Sequence, residues 1–192
     1  MDGNEKLYRD LDVLEAMAAE MDEYLRSDVL FWPLEKGDLP RLTLGGYLMR
    51  QYRLLELRDL LEMDAQERLH NAVHAFHQAL DEKIVRFEQK AHEELGARVR
   101  QWQEYLREIK NGVGIDYYAS AVDTRAMLSA LIAQLRVNPY ELDEVYPQKV
   151  ALLDRELSRY WDPGEFVWPS EWRPAYPEDK YWWLYGHPRE QR

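Results

Sequence analysis

The stretch DAQERLHNAVHAFHQALDEKIVRFEQKAHEELGARVRQWQEYLREI, Asp64 to Ile109, sets the fold class. Leu69, Val73, Phe76, Leu80, Ile84, Phe87, Ala91, Leu95, Val99, Trp102, Leu106 and Ile109 recur every three or four residues without a slip. That period marks one apolar face of a helix. No proline intervenes, and Gly96 is the weakest point. Asp64 and Glu67 have the D-x-x-E spacing of a capping box at its start. The glycines of NGVGID at 111–116 suit a left-handed cap at its end. Unbroken, such a helix is on the order of 70 Å long at about 1.5 Å per residue, more than a small domain covers. Either it bends near Gly96 or its far end packs against another chain.

Shorter helices flank it. The first spans about Asn4 to Arg26, with Leu7, Leu11, Leu14, Ala18, Met21 and Leu25 on one face and Asp2 and Glu5 placed as a capping box. Two prolines and a glycine make residues 27–42 a loop, whose Val29, Leu30, Phe31, Trp32 and Leu34 are apolar enough to pack on the bundle. A second helix is expected from about Thr43 to Glu62, weakened at Gly45 and Gly46, and a fourth from about Ala121 to Val137. Asn138-Pro139-Tyr140-Glu141 reads as a helix start, with Pro147 restarting or kinking the fifth helix before DPG at 162–164 stops it. No alternating strand pattern stands out. The expected fold is all-α: an antiparallel bundle of about five helices with one very long central helix. It comprises a helical domain at 1–161 and an irregular Pro/Trp/Tyr-rich extension at 162–192 packed on it.

Composition narrows the function. A net charge of -11 repels polyphosphate, which excludes a broad nucleic-acid surface, although it suits a basic partner. With no cysteine there is no disulfide, thiolate metal site or Cys nucleophile. The first ten residues lack the basic and apolar segments of a secretory signal, and no apolar run approaches a membrane span, so no membrane insertion and a cytoplasmic location are expected.

From Trp161 onward lie five of the seven tryptophans, with tyrosines among them and prolines that forbid a long helix. Each such ring carries on the order of 150–250 Å² that water penalises, so the segment lies against something. It wraps its own bundle, or Trp168, Trp172, Tyr176, Trp182, Trp183 and Tyr185 anchor a protein partner or a second copy.

ERLHNAVHAFHQALD sets Glu67, His70, His74, His77 and Asp81 on one strip of the long helix. His70 and His74 have the spacing of a two-ligand clamp for Zn, Fe, Mn or Ni, and Glu67-x-x-His70 echoes the Glu-x-x-His element of di-iron bundles. No second such element occurs, and His70 and His77 stand about 10 Å apart along a straight helix, too far to share an ion. No H-E-x-x-H, G-x-S-x-G or Walker loop is present. The leading expectation is therefore a non-enzymatic, self-associating interaction or scaffold protein without a cofactor. The alternative is a metal-binding hydrolase or oxidoreductase built on His70, His74 and His77. A third reading is an acidic inhibitor that fills a basic cleft.

Overall fold

Asp2 opens the first helix. Its Oδ1 accepts the Glu5 N–H at 2.8 Å while Glu5 Oε2 accepts the Asp2 N–H at 3.1 Å, the reciprocal box read from the sequence. The computed structural model describes residues 2–189, so Met1 and residues 190–192 of the extension lie outside the described residues. Helix α1 (Gly3–Arg26) buries the expected stripe completely at Leu7, Leu11, Leu14, Met21 and Leu25. Each such side chain contributes about 1.5–3 kcal/mol.

The loop that follows is tied rather than free. Trp32 and Leu42 exchange backbone hydrogen bonds of 3.1 and 2.8 Å, and the Trp32 indole donates to Glu20 at 2.8 Å. Leu34 is buried, but Val29 and Phe31 stay exposed. Thr43 then caps α2 (Leu44–Glu56), accepting from the Gly46 N–H at 3.0 Å. Gly45 has a packing reason. A Cβ there would stand 2.7 Å from Glu94 and 3.1 Å from Leu131, so only glycine brings this turn against the two helices beyond. α2 stops six residues short of the expected Glu62 and runs into a 3₁₀ turn, Arg58–Leu60.

The long helix does not exist as one piece. It divides into α3 (Met63–Asp81) and α4 (Ile84–Lys110) at Glu82–Lys83, well before Gly96. Lys83 has φ −137° and ψ 36°, outside helical space. Tertiary contacts impose the break. Lys83 is ion-paired with Asp22, while Arg86 donates to Leu25 O at 3.1 Å and Ser27 O at 3.0 Å, drawing the start of α4 onto the end of α1. α3 packs mainly on α1, and α4 on the two helices that follow. A helix the length of α1, about 36 Å, has no way to cover a rod of 70 Å. The expected box at Asp64 is also displaced, because Glu62 is the residue before the first turn of α3 and makes no side-chain cap.

Gly112 and Gly114 adopt φ of 75° and 84°, the left-handed cap the sequence suggests. A 3₁₀ turn, Ile115–Tyr117, feeds α5 (Tyr118–Leu135), which packs against α2, α4 and α6 (Val145–Ser158) and so takes the central place expected of the long helix. Asn138 starts no helix. The backbone N–H groups of Glu141 and Asp143 are held on α4 by Glu88 Oε2 at 2.8 Å and His92 Nε2 at 3.1 Å, which keeps that segment irregular until Val145. Pro147 falls in the first turn of α6, where a missing donor costs little.

The chain also contains a strand pair where none was expected. β1 (Trp161–Phe166) runs antiparallel to β2 (Tyr185–Pro188), with Trp161 opposite Pro188 and a register shift between Pro163 and Phe166. At Gly186, φ is 142° and a Cβ would lie 2.1 Å from Asp162 O, so the close backbone approach requires glycine. The molecule is mostly helical, with six α-helices and one two-stranded antiparallel sheet among the described residues. None of these helices is long and apolar enough to cross a membrane.

Candidate functional site

The histidine strip faces solvent. Glu67, His70, His74, His77 and Asp81 are all exposed on the outer side of α3. No neighbouring helix supplies further donors, and the described residues contain no group of three His, Asp or Glu side chains able to hold a metal. The His77 ring stands 5.7 Å from that of Phe76 between centroids.

The tail residues have the opposite fate. Trp168, Trp172, Tyr176 and Trp183 are buried by their own chain, whereas Trp182 and Tyr185 are half-buried. Several of their polar atoms are matched as well. The Trp168 indole donates to Ala119 O at 3.2 Å, the Trp172 indole to Gly3 O at 3.1 Å, and the Tyr185 hydroxyl to Tyr176 O at 2.7 Å. Trp182 stands edge-on to Trp161 at 5.5 Å. With the tail covered and the long helix divided, the two features that suggested self-association both find partners within this chain.

Arg53 on α2 is the hub of that closure, and it is 3% exposed. Its guanidinium lies 3.8 Å from the centre of the Trp172 ring and 4.7 Å from that of Trp168. Nε donates to the Tyr176 hydroxyl at 3.2 Å and Nη1 to Asp10 Oδ2 at 2.5 Å. Asp10 Oδ1 accepts from Arg50 Nε at 3.2 Å, so one carboxylate on α1 serves two arginines on α2. Burial alone would lower the Arg53 pKa, but Tyr176, Asp10 and Asp123 hold it above its ordinary value, so the charge persists. Burial likewise pushes the Tyr176 phenol up to about 12 against the pull of Arg53, leaving a neutral hydroxyl as acceptor. The knot latches the tail onto α1 and α2, and its groups are engaged with one another.

A longer open surface lies on the other flank of α2. A groove of about 700 Å³ runs between α2, α5 and α6 and ends at Tyr52 and Tyr181. Leu48 and Met49 form buried parts of its wall, and Ala130 and Ala133 on α5 leave the space unfilled. Leu55 and Val137, 42% and 57% exposed, stand along it. Gln51 borders this region, and its Oε1 is buried without a hydrogen-bond partner among the described residues. The wall cation Arg125 is satisfied by Asp154 at 2.8 Å twice and by Ser129 Oγ at 2.6 Å, with Trp183 beneath it at 4.9 Å. Arg136 and Lys180 at the rim pair with no carboxylate among the described residues, and Lys180 rests over Tyr181 at 5.1 Å.

The groove therefore combines an aliphatic floor, an unmet acceptor and a cationic rim on a protein of net charge -11. Apolar residues on a second face of α5, such as Ile132 and Ala130, were its only trace in the sequence. Gln51, Asp10 and Arg53 carry no local signal, since acidic and basic residues are plentiful on every helix. No family model, no curated protein and no solved structure matches this chain.

Proposed function

We propose that this chain is a non-enzymatic helical interaction protein that holds an acidic, amphipathic segment of a protein partner in the groove between α2, α5 and α6. The open aliphatic wall with Leu55 and Val137 exposed along it, beneath a cationic rim, supports the reading most directly. The buried Gln51 acceptor without a donor costs about 1–3 kcal/mol, which a turn of that side chain toward a bound partner's N–H would relieve. Apolar side chains of the partner would cover Leu48, Leu55 and Val137, and its carboxylates would reach Arg136 and Lys180. Self-association is the narrower form of the same reading, because a second copy has the required acidity.

The test is selection from a library of acidic amphipathic peptides, followed by hydrogen-exchange mapping of the bound protein. Protection is expected in α2, α5 and α6, with affinity that weakens as salt rises and falls about tenfold or more in Leu55→Glu. Light scattering separates the occupants: a dimer that Leu55→Glu dissociates identifies a second copy. Peptides that protect another surface, or a library that yields nothing above a scrambled control, would end the reading.

A further inference from the structure

α1, α2, α5 and the tail enclose a second concavity of about 610 Å³, on the opposite flank of α2. The Arg50–Asp10–Arg53 knot forms its floor, and Trp168, Trp172 and Met49 line its walls. Its charges balance, with Lys6, Arg9, Arg50 and Arg53 against Asp2, Asp10, Asp123 and Glu171. Their engagement is uneven. Asp2 is committed to capping α1, both oxygens of Asp10 are taken by the arginines, and Glu171 sits on the exposed rim beside Ser170.

Asp123 is different. It projects from α5 on the side of Arg50 and Arg53, is half-buried, and makes no hydrogen bond or ion pair with a described residue. The matching donors are also unmet. Nη2 of Arg50 and Nη2 of Arg53 donate to nothing among the described residues, and Lys6 and Arg9 at the mouth lack a carboxylate partner there. Free donors and a free acceptor thus share one cavity. A net anion would meet the Asp123 carboxylate, and a net cation would meet the guanidinium groups. A molecule bearing both signs satisfies both without bringing net charge into a balanced site.

We propose that this cavity binds a small zwitterion, its carboxylate on Arg50 and Arg53, its ammonium on Asp123 and its apolar part against Trp168 and Met49. Free amino acids and short unblocked peptides share this chemistry. Charge-assisted hydrogen bonds of the guanidinium–carboxylate kind give such a site its selectivity.

The test titrates the full chain with the common L-amino acids and with leucyl-leucine, read by tryptophan fluorescence and calorimetry. Saturable binding of at least one of these at millimolar concentration or below is expected, and the two groups distinguish amino acid from peptide. Masking the ammonium by acetylation, or the carboxylate as its amide, should weaken the binder about tenfold or more. Asp123→Asn should do the same while retaining the native circular dichroism, and Leu55→Glu, in the other groove, should leave binding unchanged. No saturable binding by any member, or binding indifferent to either mask or to Asp123→Asn, overturns the proposal. Neither result bears on the peptide groove.

Discussion

The two flanks of α2 differ in how their polar groups are settled. On one, Arg53 is stacked on Trp172, paired with Asp10 and bonded to Tyr176, and the tail is drawn in around it. On the other, Gln51 has a buried oxygen with no donor, and Leu55 faces open space. Where the tail lies over Arg53 the chain matches the guanidinium at Nε and Nη1, and where its surface stays open it leaves Arg53 Nη2, Asp123 and Gln51 Oε1 without partners among the described residues.

The largest effect should come from breaking the settled flank. Arg53→Ala leaves Asp10 and Tyr176 without their main partner and unstacks two tryptophans. We expect a loss of about 3–5 kcal/mol. At this chain length that is a fall of roughly 10 °C in melting temperature, accompanied by red-shifted tryptophan emission. A melt unchanged within error would mean that the tail is held by something other than the knot.

The open flank should respond in the other direction. Gln51→Met removes an unmet acceptor without leaving a void, and should stabilise the free protein by about 1 kcal/mol in chemical denaturation. The same substitution should weaken a groove-bound peptide. If stability drops instead, the oxygen has a partner in solution.

Asp123 sharpens the comparison through pH. Burial raises its carboxyl above the ordinary 3.8; Arg53 and Arg50 on α2 and Arg98 on α4 pull it down, Asp10 on α1 pushes it up, and burial wins. The folded state thus holds this proton more tightly than the unfolded chain. Its contribution is complete below the unfolded pKa and is lost as pH rises through the folded one. Asp123→Asn should therefore melt higher than the native protein at neutral pH, with the gain vanishing below about pH 4. A gain of equal size at acid pH would show that charge is not its cause.

The smallest effect belongs to the histidine strip. Replacing His70, His74 and His77 together by alanine should change stability by no more than about 0.5 kcal/mol, since all three are exposed. Melting with and without added zinc checks this, and a zinc-dependent rise abolished by the triple variant would establish the metal reading.

Local features were legible in the sequence. The Asp2–Glu5 box, the α1 stripe and the left-handed glycines depend only on residues within a turn or two of one another. The break at Glu82–Lys83 was not legible, because Leu80 and Phe87 remain buried on either side and the helical period continues across the turn. Its causes, Asp22 and the carbonyls of Leu25 and Ser27, lie about sixty residues upstream. The β1–β2 ribbon escaped notice because WDPGEF does not alternate and its pairing is a backbone matter. The spacing of the histidines is enough to place them on one strip, but their distance from the core depends on how α3 rolls against α1. The groove and the knot are products of packing among three or four elements, which periodicity does not report.

The hydrogen bond from the Trp172 indole to the carbonyl of Gly3 spans 169 residues. A ribosome making this chain at roughly 5–20 residues per second exposes the first helix long before its covering arrives. For that interval, on the order of ten seconds, nascent α1 has no tail to lie against, so productive folding waits for release or for a chaperone's shelter. Truncated products ending before the tail should accumulate as insoluble material rather than as a smaller folded core.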